Sequence, residues 1–306
     1  MRVLLTGAAG FLGSRAAKHL LEGGHEVHAL VRAGSDRRRL ETLAPGVRVV
    51  TGDLLEVEAA RTIVEGARPE ACVHLAWYAV PGKYLDASEN LDHLAATLRL
   101  FGSLRDAGCA RLVTGGTCFE YDTSFGLLSE TTTTAPRSPY AATKLSVFQV
   151  LEQAARSASM SFAHLRFFYQ YGPWEHEARL VPSVVRALLR GEEARVTAGA
   201  QVRDFLHVDD VGSAIRAVLE ADVRGAVNVG SGVPVRVRQI VEAAAEACGR
   251  PELVRFGALP YRQGDPPFVC AKPSVLERIG WSPSWSLSRG MRDTVDYWGQ
   301  EVRLGR

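Results

Sequence analysis

The sequence predicts an α/β fold built on a doubly wound parallel sheet, with a smaller lobe in the C-terminal half. Short apolar runs alternate with amphipathic stretches of helical length from residue 3 to residue 168. Such alternation is typical of parallel strands joined by right-handed helical crossovers. A series of glycines follows the first apolar run directly. Beyond residue 173 the alternation breaks down, which predicts a second lobe.

The predicted elements follow this pattern along the chain. Val3, Leu4 and Leu5 form an apolar run with no room for a helix before the glycines, which predicts a buried first strand. Later strands are predicted at 25–31, 47–50, 71–76, 111–114, 162–168, 194–197 and 227–230. Helices are predicted at 11–22, 59–64, 89–107, 139–158, 181–189, 208–219 and 240–248, and a Pro-rich loop at 259–267.

Composition excludes several classes of function. The 306 residues are 46% hydrophobic and 23% charged, and the net charge of +2 gives no indication of a nucleic-acid partner. Five scattered cysteines without a C-x-x-C pair indicate neither a metal site nor disulfides. The first strand follows Met1 almost at once, and no apolar stretch has membrane-spanning length. We therefore expect a cytoplasmic protein with reduced thiols.

The glycines after the first strand predict a dinucleotide-binding turn. Gly7 permits a tight turn, Gly10 permits close approach of a phosphate, and Gly13 permits close packing of strand and helix. The following helix directs its N-terminus at the pyrophosphate. We therefore predict a Rossmann-type dinucleotide-binding domain at 1–172, with a return segment at about 204–231. Residues 173–203 and 232–306 are then the substrate-binding lobe.

Tyr140 and Lys144 form the main candidate for acid–base chemistry. Their i, i+4 spacing at the start of the predicted helix 139–158 places both side chains on one face. An ammonium beside a phenol is expected to lower the phenol pKa from about 10. Such pairs are also common on helices with no function. Thr117 follows the fifth strand, where its hydroxyl either binds a substrate oxygen or caps a turn.

Several motifs occur together along the chain. They are TGAAGFLG at 6–13, GDL at 52–54, HLA at 74–76, Thr117 ahead of YAATK at 140–144, LRFFYQYGP at 165–173, RDF at 203–205, VDDV at 208–211 and NVG at 228–230. In this order they resemble the extended short-chain dehydrogenase/reductase family, a group of NAD(P)-dependent nucleotide-sugar epimerases, dehydratases and reductases. The resemblance covers nearly the whole chain.

The resemblance implies a role for individual residues. Thr117, Tyr140 and Lys144 would form the catalytic set, with Lys144 also on the nicotinamide ribose. The other implied cofactor contacts are Gly7, Gly10, Phe11, Leu12, Gly13, Asp53, Leu54, Leu75, Ala76 and Phe167. Arg203 and Arg262 would bind the nucleotide end of the substrate, because guanidinium groups suit phosphate. We interpret Asp209 and Asp210 as helix-capping residues.

Two further positions are candidates for the substrate side. The stretch from Trp77 to Tyr84 follows the fourth strand, where its aromatic residues either shape a sugar pocket or pack in a surface loop. Tyr169 stands where the sugar enzymes of the family usually have Asn, so the substrate contacts there must differ.

Two departures from the family pattern narrow the choice of reaction and cofactor. Cys118 and Phe119 stand where the sugar 4,6-dehydratases have the Asp-Glu pair that eliminates water, which makes dehydration unlikely. Strand two ends at Arg32 without the acidic residue that binds the adenosine ribose in NAD users. An Arg there accommodates a 2′-phosphate, although a solvated basic loop is the alternative, so we expect NADP over NAD.

The resulting hypothesis is an NADP-dependent 4-ketoreductase acting on a nucleotide-linked 4-keto-6-deoxysugar, with Tyr140 as proton donor. The alternatives are an NAD-dependent nucleotide-sugar 4-epimerase and, in another class, a non-catalytic NADP-binding sensor module. The helices 89–107 and 139–158 match the pair that forms a dimer interface in the family, so we expect a homodimer. No nucleic-acid, membrane or metal partner is expected.

Overall fold

The computed structural model describes residues 1–43 and 45–305. Its strands, numbered in chain order, are β1 Arg2–Thr6, β2 Glu26–Val31, β3 Val47–Thr51, β4 Ala71–His74, β5 Arg111–Thr117, β6 Leu127–Leu128, β7 Ser161–Phe167, β8 Tyr169–Tyr171, β9 Ala194–Val196, β10 Val202–His207, β11 Gly225–Val229, β12 Pro234–Arg236, β13 Val254–Phe256 and β14 Phe268–Ala271. The helices are α1 Phe11–Glu22, α2 Arg38–Glu41, α3 Ala59–Ala67, α4 Glu89–Asp106, α5 Pro139–Ser157, α6 Leu180–Leu189, α7 Val208–Glu220, α8 Val237–Cys248, α9 Ser274–Arg278 and α10 Leu287–Arg303.

The main sheet confirms the predicted fold class. Within the described residues it has the order β11-β7-β5-β4-β1-β2-β3, and every neighbouring pair is parallel. Strand β1 lies in the middle, and Val3, Leu4 and Leu5 are fully buried. The sheet order reverses direction next to β1, so the glycine turn lies at the point where open α/β sheets bind ligands.

Apolar clusters cover both faces of the main sheet. Helices α1 and α7 pack together on one face, while α3, α4 and α5 cover the other. A Cβ on Gly212 would lie 2.7 Å from the Arg15 carbonyl oxygen, so this glycine permits the close contact between α7 and α1. No helix among the described residues combines the length and apolarity that crossing a membrane requires.

A second sheet and its helices form the rest of the structure. Its order is β12-β10-β14-β6, and β8 also pairs with β10. Helices α6, α8 and α10 pack around a separate apolar cluster that includes Val185, Ile240 and Met291. The small pair β9–β13 completes the described strands. The predicted return strand is present as β11, which pairs with β7 of the main sheet.

Several sequence-based predictions need correction. The strands of the second sheet were not predicted, because they are too short to show a clear apolar period. Helix α10 was not predicted either, although Leu287, Met291, Val295 and Trp298 recur at helical spacing in its sequence. Strand β4 ends at His74 rather than at residue 76.

The interpretation of Asp209 and Asp210 as helix caps is wrong. Both lie in the first turn of α7, but His207 is the N-cap and accepts a hydrogen bond from the Asp209 amide. Asp209 instead pairs with Lys18 at 2.9 Å, and Asp210 accepts hydrogen bonds from Ser284 and Trp285. These carboxylates therefore tie α7 to distant segments of the chain.

Candidate active site

The carboxyl ends of neighbouring main-sheet strands bring the predicted site residues to one edge. Gly7 follows β1, Trp77 lies three residues after the end of β4, and Thr117 ends β5. Arg32 follows β2 on the other side of β1. Parallel strands end at the same edge of a sheet, so residues far apart in sequence meet there.

The glycine turn adopts the predicted close packing. Gly7 has a φ of 70°, and a Cβ there would lie 2.8 Å from the Ala76 amide nitrogen. The Gly10 amide donates to the Gly7 carbonyl at 2.9 Å. A Cβ on Gly13 would lie only 2.0 Å from the Gly7 carbonyl oxygen. Helix α1 therefore starts directly against the turn, which only glycine permits.

The start of α1 fits the pyrophosphate of a dinucleotide. Gly10 is the N-cap, no side chain of the described residues caps it, and the first turn contains no acidic residue. The amide groups of this turn around Phe11 and Leu12 are therefore available to an anion, and the helix dipole favours negative charge there. Both residues are only partly buried.

The floor of the cleft is formed beside Gly115 of β5. A Cβ on Gly115 would lie 3.3 Å from both the Leu75 and the Phe167 side chains, so these two side chains flank it. The Ala76 amide donates to the Thr6 hydroxyl at 3.1 Å. The predicted cofactor residues Leu75, Ala76 and Phe167 thus lie around the ends of β4, β5 and β7.

A cavity of about 540 Å³ lies at the carboxyl ends of β2 and β3, where Arg32 was expected to meet the adenosine ribose of the cofactor. Arg32, Gly34, Ser35, Asp53 and Glu56 are among its lining residues. No described residue forms a hydrogen bond or ion pair with the Arg32 side chain, which is exposed. Asp53 accepts a hydrogen bond from the Leu55 amide at 3.0 Å, and Leu54 is buried behind it.

The other arginines of this loop have different partners. Arg38 forms a two-pronged ion pair with Asp36, with distances of 3.0 and 2.9 Å. Arg39 donates to the Ala9 carbonyl at 2.8 Å and to the Trp174 carbonyl at 3.2 Å. The Arg38 guanidinium is therefore already engaged by a carboxylate. Arg32 is the arginine that faces the cavity.

Thr117 and Tyr140 come together at the end of β5. The Thr117 side chain lies close enough to the Tyr140 phenol to lower the phenol pKa slightly. The Tyr140 amide donates to the Leu85 carbonyl at 3.0 Å, and the ring packs edge-on against Tyr84 at 4.8 Å between centroids. Tyr84 belongs to the stretch 77–84 that the sequence offered for the substrate side, but its contact with Tyr140 was not predicted.

The predicted lowering of the Tyr140 pKa by Lys144 is wrong for this structure. Burial raises the pKa of the phenol above its usual value of 10, with smaller contributions in the same direction from Tyr84, Glu120 and Cys118. The Lys144 Nζ lies 6.0 Å from the Tyr140 ring centroid and is directed elsewhere. Tyr140 is therefore protonated at neutral pH, the state that a proton donor requires.

Lys144 is buried beneath the site. Its Nζ donates to the Gly115 carbonyl at 2.6 Å and lies 3.7 Å from the centroid of the Trp77 ring. Burial lowers the Lys144 pKa to about 7, while Glu120 opposes this change. Trp77 also donates from Nε1 to Asn90 at 2.8 Å. Trp77 thus contacts the lysine of the predicted catalytic set.

Cys118 and Phe119 give this site no acid–base pair of the dehydratase kind. Cys118 is fully buried, and burial raises its pKa to about 12. Phe119 packs edge-on against Tyr169 at 6.3 Å between centroids.

The expected substrate side is aromatic with one buried arginine. Tyr169 lies 6.0 Å from the Phe205 ring, and burial raises its pKa. Arg203 lies 5.3 Å from the Tyr169 ring and donates to Asp265 at 2.6 Å. Arg262 lies in the exposed turn that leads to Asp265. The structure therefore brings the RDF motif at 203–205 into contact with residues 261–265 through the Arg203–Asp265 ion pair.

Glu175 is a buried ionisable residue that the sequence reasoning missed. Its Oε2 atom is buried and has no hydrogen-bond partner among the described residues. Burial raises its pKa from 4.5 to about 8, and Arg179 partly opposes this. Trp174 before it has a φ of 72°, which is unusual for a residue other than glycine. The available signal in the sequence was its position two residues after Pro173, which ends the LRFFYQYGP motif.

The Glu175 environment predicts a pH-dependent stability. Its folded pKa is above its unfolded value, so its contribution is fully present below about pH 4.5 and is lost as the pH rises through about 8. Glu175→Gln should therefore stabilise the protein at pH 9 by about 5 kcal/mol and change little at pH 5. Melting temperatures at both pH values measure this. Exposed Glu192→Gln is the control, and an equal shift for Glu175→Gln at both pH values contradicts the prediction.

A family model described as "NAD dependent epimerase/dehydratase family" matches residues 3–230 of the chain. The UDP-glucose 4-epimerase of Mycolicibacterium smegmatis is 31% identical, over 97% of this chain and 98% of that protein. These similarities extend over both sheets.

Two solved structures are similar in fold. The UDP-glucose 4-epimerase of Thermotoga maritima, determined with UDP-glucose, is 27% identical with a TM-score of 0.88, covering 99% of this chain and 100% of that one. The UDP-glucose 4-epimerase of Thermus thermophilus, determined with NAD, is 29% identical with a TM-score of 0.87, covering 97% of this chain and 99% of that one.

Proposed function

Because the chain belongs to the NAD dependent epimerase/dehydratase family and is therefore an enzyme of the extended short-chain dehydrogenase/reductase type, we propose that it is an NADP-dependent 4-ketoreductase. Its substrate is a nucleotide-linked 4-keto-6-deoxysugar. The proposed catalytic residues are Thr117, Tyr140 and Lys144. Arg203 and Arg262 are proposed to hold the nucleotide end of the substrate, and Trp77 and Tyr169 to border the sugar.

The observation that carries the proposal is Arg32 in the adenosine cavity. Its guanidinium has no carboxylate partner among the described residues, and no acidic residue stands at the end of β2 to bind ribose hydroxyls. A free guanidinium binds a 2′-phosphate well. A preference for NADP favours a reductase, which consumes added NADPH, over an epimerase, which carries tightly bound NAD.

The geometry supports proton donation to a carbonyl oxygen. A bound dinucleotide would supply the hydride for the carbonyl carbon. The Thr117 hydroxyl donates a hydrogen bond to the carbonyl oxygen, and Tyr140 transfers its phenolic proton to that oxygen as it becomes an alkoxide. The Lys144 side chain, fixed by Gly115, adds positive charge beneath the site when it is protonated, and its pKa is about 7. The Tyr140 phenol is protonated at neutral pH and therefore carries the proton to be transferred.

A nucleotide-sugar 4-epimerase is the second candidate, because similar proteins are named UDP-glucose 4-epimerases. The two functions are separated by one experiment. A ketoreductase oxidises added NADPH with dTDP-4-keto-6-deoxyglucose and yields the 6-deoxyhexose nucleotide. An epimerase converts UDP-glucose to UDP-galactose without added cofactor and carries tightly bound NAD. Binding of NADP without either reaction would favour a sensor module.

The Arg32 contact predicts a change in cofactor preference on substitution. Arg32→Ser should weaken NADP⁺ binding about 30-fold and leave NAD⁺ binding unchanged, since a charge-assisted hydrogen bond contributes about 2 kcal/mol. Isothermal titration with each cofactor measures both constants. Arg38→Ser is the matched control because Asp36 already engages Arg38. Equal weakening of both cofactors, or no weakening, contradicts the NADP assignment.

Two further parts of the proposal concern organisation. We propose that residues 1–172 and about 204–231 bind the dinucleotide, while 173–203 and 232–306 bind the substrate. We also propose a homodimer formed through α4 and α5. The helices pack against each other, and Leu91, Leu98 and Val150 on them are exposed apolar side chains.

A further inference from the structure

Glu120 is a fully buried carboxylate next to the proposed catalytic residues, and the mechanism above does not use it. It lies in the short 3₁₀ turn Cys118–Glu120 that follows β5. Its Oε1 atom accepts a hydrogen bond from the Thr117 amide at 2.8 Å and lies 3.0 Å from His164 Nε2. Its Oε2 atom accepts from Arg166 Nε at 2.7 Å.

The Thr117 side chain in turn accepts a hydrogen bond from the 3₁₀ turn that contains Glu120. While the Glu120 side chain holds the Thr117 amide, the Thr117 hydroxyl accepts a hydrogen bond from the Phe119 amide at 3.3 Å. A hydroxyl has two acceptor lone pairs and one donor hydrogen. With one lone pair engaged by the turn, the donor hydrogen remains for a ligand oxygen or the Tyr140 phenol. This capping box therefore fixes the Thr117 side chain and its free donor.

The surrounding residues hold the carboxylate in place. A Cβ on Gly116 would lie 2.4 Å from Glu120 Oε1 and 2.2 Å from His164 Nε2, so glycine at this position leaves room for both groups. His164 Nδ1 is also bonded to the Thr114 hydroxyl at 2.7 Å. The Arg166 guanidinium lies 4.3 Å from the centroid of the Tyr121 ring.

The charges around Glu120 favour its ionised form. Burial raises its pKa, but His164 and Arg166 on β7 and the Thr117 amide outweigh burial, and the net shift is downward. The other titratable groups near it are Tyr140 and Lys144 on α5 and, in its own segment, Cys118 and Tyr121. The negative charge raises the pKa values of both Tyr140 and Lys144.

We propose that Glu120 is a positioning residue that orients the Thr117 hydroxyl toward the substrate carbonyl by holding the Thr117 amide. The inference rests on the proposed function in one respect, namely that Thr117 contacts the carbonyl oxygen. A purely structural role is the competing explanation, since removal of one member of any buried ion pair destabilises a protein. The test must therefore separate loss of stability from loss of Thr117 orientation.

A double-mutant cycle provides that separation. Glu120→Gln should lower kcat with dTDP-4-keto-6-deoxyglucose and NADPH about 10-fold. In the Thr117→Val background the same substitution should leave kcat within about twofold, because residues that act through one group are not additive. KM for NADPH should not change. Equal losses of kcat in both backgrounds overturn the proposal.

A second measurement needs no substrate. Amide hydrogen exchange at Thr117 in the ligand-free protein should become at least 10-fold faster in Glu120→Gln. The two carboxylate oxygens serve two donors, Thr117 N and Arg166 Nε, whereas Gln has one acceptor oxygen for both and places an NH2 donor opposite the other. Asp210→Asn is the matched control, since it removes another buried carboxylate that does not contact Thr117. Unchanged exchange at Thr117 in Glu120→Gln overturns the proposal. A wild-type protein that lacks ketone turnover refutes the proposed function, whereas the exchange result still decides whether Glu120 holds Thr117.

If Glu120→Gln alone does not fold, the double variant Glu120→Gln/Arg166→Met removes both buried charges together. Paired removal of this kind is far less destabilising than removal of one partner. The same kcat comparison and exchange measurement then apply to this double variant, with the wild-type protein as its reference.

Discussion

Tyr140→Phe should lower kcat for ketone reduction by about 10²–10⁴-fold. The substitution removes only the hydroxyl that transfers a proton to the carbonyl oxygen, and the ring still packs against Tyr84. Tyr140 is only partly exposed, so solvent does not readily take over its role as the acid. The affinity for NADP⁺ should remain within about twofold. Steady-state kinetics and isothermal titration measure the two quantities.

Tyr84→Phe is the matched control for this prediction. It removes the hydroxyl of the neighbouring tyrosine, whose ring lies 4.8 Å from that of Tyr140 between centroids. Its effect on kcat should stay within about threefold, because the proposed mechanism gives that hydroxyl no proton to transfer. Retained turnover in Tyr140→Phe would remove Tyr140 from the mechanism and leave Thr117 as the remaining hydroxyl donor.

Gly13→Ala should weaken binding of the dinucleotide about 100-fold or more and lower the melting temperature. The added Cβ would lie 2.0 Å from the Gly7 carbonyl oxygen and 2.7 Å from the Gly7 carbonyl carbon. Both are backbone atoms, so the glycine turn and the start of α1 must separate. Overpacking of this kind costs about 1–3 kcal/mol, and the displaced amides no longer face the pyrophosphate.

Gly102→Ala is the matched control for Gly13→Ala. Gly102 is also a helical glycine, in α4, but a Cβ there would meet no other heavy atom within 4 Å. Alanine in a helix interior is more stable than glycine by about 1 kcal/mol. Gly102→Ala should therefore raise the melting temperature and leave cofactor binding unchanged. A Gly13→Ala variant with normal affinity and stability would contradict the close packing of the turn.

The elements of the main sheet could be predicted from the sequence because their signals are local. The apolar run at Val3–Leu5 and the glycines after it specify β1, the turn and α1 within thirteen residues. The i, i+4 spacing of Tyr140 and Lys144 places them on one helix face. Arg32 could be located in the same way, since it directly follows the apolar residues of β2. Each of these predictions depends only on residues that lie close together in the sequence.

The second sheet was not predicted because its partners are distant in sequence. Strand β10 pairs with β8, β12 and β14, which come from both sides of it along the chain. Each of these strands has only three or four residues. Such segments are too short to show a reliable period, and their pairing is decided by packing rather than by propensity.

By itself, the sequence determined the fold class, the glycine turn and the identity of the residues at the strand ends. Only the tertiary structure decided how those residues act. In the structure the Tyr140 pKa is raised, and the Lys144 ammonium nitrogen donates to the Gly115 carbonyl. Arg38 pairs with Asp36, whereas Arg32 lines the cavity without such a partner. It also placed Glu120 between His164 and Arg166, more than forty residues away. The physical reason is that burial and charge pairing depend on which distant segments meet, whereas strand and helix signals are carried by adjacent residues.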